Sequence, residues 1–371
     1  MKQTIAVAVS GGVDSLMAAY LLKEQGRHVI GIHFITGFES ASNFTRKAGT
    51  ELNQPILDIG KQLTIPIEIV DIKAEFQEKI VGYFSRTYQS GQTPNPCMYC
   101  NPIIKFGTIL AHAQKMGAQK LATGHYARIK RDNHDNHRLF KGIDPEKDQS
   151  YFLARLTRQQ LSRACFPLGE MRKSDVKKMA TQKKLHPATR GESQDVCFIK
   201  HNSYGDFLTR KTGLKPHPGL IENLNGRIIG EHNGLHLFTV GQRRGINCPA
   251  AEPYYVVQLD AERNRLIVGS KKELLSSACR VTDINWIGEE PSGPLEVSTR
   301  VRYRSKEVPS TVIPQDNKTA IVRFDAPQSA ITPGQGAVFY RDDEIVGGGW
   351  IEKSMAHRAE SIGKKAGKLR S

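Results

Sequence analysis

No stretch of this chain approaches the roughly 20 consecutive apolar residues that a bilayer-spanning helix needs, so no membrane span is expected. Cysteine is scarce: six residues scattered over 371 are too few for a disulfide framework. That scarcity points to a reducing, cytoplasmic setting. Heptad runs, internal repeats and low-complexity segments are also missing, which excludes fibrous and solenoid architectures. The opening MKQTIAVAVSGG has one lysine and a short apolar run that ends in a glycine pair. It reads as a first strand and not as a secretory leader. The deficit that says most is acid, with 37 Asp+Glu against 53 Lys+Arg and a net charge of +16. Residues 1–100 balance at nine basic and nine acidic, whereas residues 101–200 hold 20 basic and nine acidic, a surplus of +11. A cationic surplus gathered in one stretch suits a polyanion-binding face, and a solvated basic surface is the bland alternative.

A chain of 371 residues has room for two or three domains. Over the first two hundred residues, apolar runs at Thr4–Val9, His28–Ile35, Pro66–Ile72 and Lys120–Ala127 alternate with helical patterns at Ser15–Gln25, Gly49–Leu63, Ala74–Gln89 and Ile103–Met116. This order predicts an α/β domain with a parallel sheet covered on both faces, over residues 1–200. Beyond residue 201 short β-branched runs (Arg227–Ile229, Leu235–Val240, Tyr254–Leu259, Arg265–Val268) alternate with Gly, Pro and Asn turns. The same style continues through Thr299–Arg304, Thr311–Ile313, Ala320–Phe324, Ala337–Tyr340 and Glu344–Val346. Two small β-rich domains are expected, 201–277 and 278–355, the second a β-barrel, with a basic tail at 356–371.

Directly after the run IAVAV, and directly before a helical pattern, stands Ser10-Gly11-Gly12-Val13-Asp14-Ser15. Two glycines let a backbone turn tightly and approach a ligand, and the amides of the following helix N-terminus face an anion. Ser10 and Ser15 can add hydroxyl donors, and Asp14 can hold Mg²⁺ or cap the helix. Neither G-x-x-x-x-G-K-[ST] nor G-x-G-x-x-G occurs there, so a P-loop NTPase and a dinucleotide site are not indicated. The hexapeptide resembles the loop of pyrophosphate-loop ATPases, which split ATP into AMP and pyrophosphate and leave an adenylated substrate.

A second constellation is built on sulfur. Thr93-Pro94-Asn95-Pro96-Cys97-Met98-Tyr99-Cys100-Asn101 leads from a proline-stiffened loop into a helix, and Cys197 follows the polar stretch Gly191–Val196. A cysteine at a helix start is expected to have a lowered pKa and more thiolate. Cys97-x-x-Cys100 with a distant Cys197 is not a closed zinc set. It suits a redox pair with a third thiol, or a three-thiolate cluster with one open iron. Cys165, Cys248 and Cys279 read as structural.

In order along the chain come SGGVDS, TPNPCMYCNPIIKFG, ATGHYAR, KDQSYFL, SQDVCFI, TVGQRRG, RYR and TPGQGAVFY. With these the chain resembles the tRNA-specific 2-thiouridylase family from residue 4 to about 352. The resemblance implies an adenine nucleotide alpha hydrolase-like fold. The implied activity is ATP-dependent replacement of O2 by sulfur on the wobble uridine (position 34) of tRNA, in the cytoplasm, by a monomer. ATP with Mg²⁺ would be bound by Ala8, Val9, Ser10, Gly11, Gly12, Val13, Asp14 and Ser15, with Phe34 and Gly124. Cys100 would be the nucleophile, and Cys197 would carry a persulfide delivered by an upstream sulfur-donor protein. A transient Cys100–Cys197 disulfide would follow. Asn95, Pro96 and Cys97 would meet the target base. His125, Lys147, Asp148, Gln149, Arg302, Tyr303 and Gln335 would contact tRNA. Residue patterns alone also allow His125 a capping role, 147–149 a turn and 302–304 an exposed strand face. Where the family pattern has aspartate, this chain has Cys97, which leaves open a [4Fe–4S] cluster on Cys97, Cys100 and Cys197. The alternatives are another pyrophosphate-loop adenylating ligase, or a tRNA thiolase that uses such a cluster.

Overall fold

The computed structural model describes residues 3–39, 53–189, 196–199, 204–213 and 215–356. Part of the predicted helix at 49–63, the polar stretch before Val196 and the tail beyond residue 356 lie outside them.

Five parallel strands form the first sheet, in the order Ile67–Asp71, His28–Ile35, Thr4–Ala8, Lys120–Ala122, Ala164–Cys165. The central strand is apolar throughout because helices cover both faces, and Ile5, Ala6 and Val7 are buried. The chain first builds outward on one side of Thr4–Ala8, then crosses to the other. That reversal leaves a crevice at the carboxyl ends of Thr4–Ala8 and Lys120–Ala122, where open α/β sheets bind ligands.

The helix Val13–Glu24 buries Leu16, Met17, Ala18, Ala19 and Leu22 against this sheet. Two further helical rods change pitch midway. One runs as α over Lys73–Phe76, π over Gln77–Val81 and α over Gly82–Gln89; the other as α over Pro96–Cys100, π over Asn101–Ile109 and α over Leu110–Lys115. The second was expected to begin at Ile103. It begins at Pro96 because proline is preorganised for the first helical position and Asn95 Oδ1 accepts from the Met98 amide at 3.1 Å.

Four strands make the next sheet, ordered Tyr255–Asp260, Arg265–Gly269, Gly219–Asn223, Ile228–His232. The apolar run at 235–240 was expected to be a strand. It forms a 3₁₀ turn at Leu235–Leu237 and an irregular segment that buries Leu235, Phe238 and Val240, since a short apolar run does not itself distinguish strand from turn.

The last module is a closed barrel of six strands: Leu275–Trp286, Ala320–Ser329, Val308–Pro314, Leu295–Arg300, Gly336–Arg341 and Glu344–Ala356, with the last pairing back onto the first. Onto Glu344–Ala356 a hairpin from the nucleotide-loop half also docks, Ala127–Arg131 with His137–Lys141, pairing Ile345 with Leu139. One buried cluster therefore joins Ile104, Phe106, Leu139 and Tyr151 to Val338, Tyr340 and Ile345 of the barrel. Among the described residues no helix is long and apolar enough to cross a membrane.

Candidate active site

The nucleotide loop leaves the first strand at Ser10 and turns through Gly11 at φ +89°, a left-handed conformation that favours glycine. Ser15 fixes the turn from inside: its hydroxyl accepts from the Ser10 amide at 3.1 Å and donates to the Gly12 carbonyl at 3.1 Å. Gly12 occupies the cap position with no side-chain cap, so the first amides of Val13–Glu24 are left to face the crevice. Gly124 ends the neighbouring strand against this helix start. A Cβ there would stand 2.8 Å from the Asp14 carbonyl carbon and 2.9 Å from the Ser15 amide nitrogen, so only glycine fits without displacing the loop. Phe34, half-buried, lies at the end of His28–Ile35 on the other side. The three segments assigned to ATP by resemblance thus end three adjacent parallel strands.

Asp14 points back at the protein. Its carboxylate accepts from Tyr126 Oη at 2.8 Å and from Lys173 Nζ at 2.6 Å to each oxygen. Lys173 is 6% exposed, and its own amide donates to Asp144 Oδ2 at 2.9 Å. Lys173, at the start of the helix Lys173–Gln182, is thereby a partner of the nucleotide loop and not a cation of that helix's exposed face. His33, buried, donates from Nδ1 to the Val9 carbonyl at 2.8 Å and stiffens the loop's stem, and burial lowers its pKa. Neither His33 nor Tyr126 was given a role from sequence, because no local pattern links them to the loop.

Cys97 and Cys100, both half-buried, sit on the short helix behind the Asn95 cap, and Asn95 and Pro96 are themselves buried. Cys197 is exposed on the segment Val196–Ile199. Phe198 plugs that segment into an aromatic cluster, its ring 5.8 Å from Phe38 and from Phe76, 5.2 Å from Phe84 and 5.3 Å from Phe207. The thiols influence one another: Cys97 and Cys197 both act on Cys100. Contrary to the expectation of a lowered pKa, burial pushes the thiols of Cys97 and Cys100 up, and the protein walls around Cys197 push it up to about 12. The helix N-terminus is outweighed by desolvation.

Lys105 opposes this trend at all three sulfurs. Its ammonium lies 3.3 Å from His125 Nε2. An ammonium can only donate, so His125 carries its proton on Nδ1 and gives it to Thr123 Oγ1 at 2.6 Å. Burial and Lys105 hold His125 well below its ordinary pKa, hence neutral. Among the described residues no three His, Cys, Asp or Glu side chains converge as metal ligands. Cys97, Cys100 and Cys197 are all free thiols.

The residues assigned to tRNA fall into two groups. Asp148 is buried, and its carboxylate accepts from the Gly142 amide, the Ser150 amide and the Ser150 hydroxyl at 3.0–3.1 Å. Gln149 brackets Tyr126, accepting from its amide at 3.1 Å and donating its own amide to its carbonyl at 2.9 Å. Lys147 is half-buried on the same turn. In the barrel, Gln335 Nε2 donates to the carbonyls of Thr93 and Pro94 at 3.1 and 3.0 Å, and the Thr93 amide donates to the Pro333 carbonyl at 2.9 Å. Arg302 donates to the Val240 carbonyl at 2.8 Å and to the Thr332 hydroxyl. Tyr303 packs on the Phe152 ring at 4.4 Å. Gln335 and Arg302 therefore tie the barrel to the cysteine loop and to the central module.

Three family descriptions match the chain: a tRNA methyl transferase HUP domain over residues 3–201, a tRNA methyl transferase PRC-barrel domain over 205–270 and an aminomethyltransferase beta-barrel domain over 276–351. Relatives that match over nearly the full length carry a different activity in their name, tRNA-specific 2-thiouridylase MnmA. The chain is 48% identical to the one from Desulfosudis oleivorans, covering 94% of each chain. It is 45% identical to that of Syntrophotalea carbinolica, over 94% of this chain and 98% of the relative. With that of Geobacter metallireducens it shares 43%, over 95% and 98%.

Proposed function

The chain belongs to the tRNA-specific 2-thiouridylase family, and from that premise we propose how its residues divide the work of an ATP-dependent tRNA-uridine 2-sulfurtransferase. The observation that carries the reading is a continuous path from the pyrophosphate loop, packed on Gly124, through the adjoining His125 to Lys105, whose charge acts on three mutually interacting thiols. A methyltransferase has no use for that pairing.

ATP enters at Ser10–Ser15, with its base toward Phe34 and its phosphates on the amides of Val13–Glu24. Asp14 is the residue that would hold Mg²⁺, which would supply positive charge against the phosphates. Uridine O2 of the wobble base attacks the α-phosphorus, pyrophosphate leaves, and a poor leaving oxygen becomes part of AMP. Cys197 arrives as a persulfide, loaded by an upstream sulfur-donor protein. Its terminal sulfur attacks C2 and AMP departs, leaving C2 joined to Cys197 through a disulfide. The Cys100 thiolate attacks Sγ of Cys197, the S–S bond to the base breaks, and the sulfur stays on C2. A Cys100–Cys197 disulfide remains, and a dithiol reductant supplies the two electrons that reopen it. Splitting one hard substitution into activation and covalent transfer is ordinary nucleophilic catalysis. Asn95, Pro96 and Cys97 meet the base, and no step passes through an iron–sulfur cluster. Lys147, Gln149 and Tyr303 form the tRNA-facing set, with Asp148 shaping the turn beneath it, while Arg302 and Gln335 hold the barrel to the loops around it and His125 holds Lys105.

Release of pyrophosphate dependent on tRNA tests the first half. Asp14→Asn should abolish it while tRNA is still retained on a filter, since the amide oxygen can still accept from Tyr126 or Lys173 and the fold keeps that contact. Pyrophosphate release at the wild-type rate would remove the loop from the reaction.

A further inference from the structure

The motif Thr239-Val240-Gly241-Gln242-Arg243-Arg244-Gly245 has no part in the reaction described above. It forms a loop of the central module that touches both neighbouring parts of the molecule. Thr239 Oγ1 lies 3.4 Å from Thr93 Oγ1 on the approach to Cys97, and the Val240 carbonyl accepts from Arg302 of the barrel at 2.8 Å. Arg243 and Arg244 are exposed at the far side of the loop, and among the described residues neither guanidinium is paired with a carboxylate. Arg263 and Arg265 of the same module do face one each, Asp260 at 4.0 Å and Glu222 at 2.6 Å. We propose that Arg243 and Arg244 bind the phosphodiester backbone of the RNA beside the target uridine, so that the central module grips the strand whose base enters the cysteine loop. This deepens the reading of uridine thiolation given above and rests on it.

The loop holds the arginine pair in one place. Its backbone turns through Gly241 at φ +89° and Gly245 at φ +84°. Between them the Gln242 side chain ties three backbone groups, accepting from the Thr239 amide at 3.1 Å and donating to the Leu237 and Arg244 carbonyls at 3.2 and 2.9 Å. The strand Tyr255–Asp260 fixes the loop from below: the Gly241 amide donates to the Val256 carbonyl at 2.8 Å, and the Val256 amide donates to the Gln242 carbonyl at 2.9 Å. Val240 and Ile246 are buried on either side. A backbone held this firmly loses little further freedom when a ligand docks. Two adjacent cations without a counter-ion repel each other, whereas phosphate oxygens would offer each guanidinium paired, charge-assisted hydrogen bonds. The position fits an RNA strand. The Gln242 amide donates to the Thr239 carbonyl at 2.9 Å, closing a four-residue turn whose first residue touches Thr93. Turn ends lie within ~7 Å and the next residue adds ~3.8 Å, so the Arg243 Cα stands within about 11 Å of that of Thr239. A base splayed out of a single-stranded loop leaves its flanking phosphates on the protein surface. With the base at Asn95–Cys97, the backbone beside it passes the Thr93–Thr239 contact and reaches the arginines.

The test is binding by the full chain, without turnover, of an unmodified tRNA transcript and of its isolated anticodon stem-loop, followed by fluorescence anisotropy across a salt series. Arg243→Gln combined with Arg244→Gln should weaken both RNAs about tenfold at low salt and flatten the log–log salt slope by about one unit per arginine. Arg243→Lys combined with Arg244→Lys keeps both charges and should restore the slope, a rescue that a purely structural role would not give. Pyrophosphate release at saturating tRNA should stay at the wild-type rate in the glutamine pair, which places the loss in KM and not in kcat. If the glutamine pair fails to fold by circular dichroism, each single variant carries the test at one unit of slope. Unchanged affinity and slope in a folded variant would overturn the proposal. A loss confined to the full tRNA, with the stem-loop bound as by wild type, would move the contact away from the target base and overturn it as well. Unchanged RNA binding with slower sulfur transfer from a donor protein would make the loop a protein-docking surface instead. A wild-type chain that binds neither RNA would overturn the thiolation reading itself, which separates the two failures.

Discussion

Lys105 follows Cys100 by five residues, a separation that on a regular α-helix sets side chains about 140° apart at 100° per residue. The π segment Asn101–Ile109, with its i→i+5 hydrogen bonding, turns Lys105 back toward the cysteine face. Removing that charge should push the thiols further up. In Lys105→Met, alkylation of Cys100 by iodoacetamide should shift to higher pH and slow several-fold at pH 8, because the thiolate is the reactive form. Lys105→Arg should restore part of the rate, and a superimposable pH profile in Lys105→Met would show the ammonium to be irrelevant to sulfur. Among the thiols themselves, Cys100→Ser and Cys197→Ser should each abolish 2-thiouridine formation, read by mass spectrometry of digested tRNA, while Cys97→Ser keeps substantial activity. Loss of activity in all three, together with bound iron in the anaerobic wild type, would replace the relay with a cluster. At this scale Cys97, Cys100, Cys197 and the Ser10–Ser15 loop were legible, since each motif is local. Lys105 was not, because its alignment depends on a helix pitch that residue spacing does not encode. Lys173 was not, because a charge pair across 159 residues leaves no trace in either neighbourhood.

Among the elements, the strand end that carries Gly124 presses closely on the start of the nucleotide-loop helix. The Gly124 position faces backbone atoms of Asp14 and Ser15 at 2.8–2.9 Å, and a backbone cannot step aside as a side-chain tip can. Gly124→Ala should therefore cost about 1–3 kcal/mol by overpacking. It should weaken ATP binding more than tRNA binding, as a melting curve and paired titrations would show. Equal stability and affinity would mean that the helix start is looser than this packing implies. The strands at the loop's sides could be read from their apolar runs and the glycine pair. The fifth strand, Ala164–Cys165, could not, being two residues long and specified by its neighbours. Nor could the hairpin at 127–141, whose alternating charges describe a solvent-facing ribbon equally well until Ile345 is placed beside Leu139.

For the whole molecule, the composition change near residue 200 foretold a parallel-sheet half and a β-rich half, and the closed barrel follows from it. The shared core did not, because hydrophobic pattern shows which residues are buried and not which distant partner covers them. The cationic surplus leads to a prediction at the same scale. Arg172, Lys177 and Lys178 are exposed on the helix whose first residue, Lys173, turns inward. Replacing these three by glutamate should flatten the salt dependence of tRNA binding by about two to three units of log–log slope, as loss of phosphate contacts requires. An unchanged slope would move the RNA footprint to another face. The ties from Gln335 to Thr93 and Pro94 span 242 and 241 residues of chain. At roughly 5–20 residues per second of synthesis, the cysteine loop leaves the ribosome about 12–48 s before its anchors exist. Until the barrel has been translated those two hydrogen bonds cannot form, so the loop that leads into Cys97 and Cys100 gains its tether last.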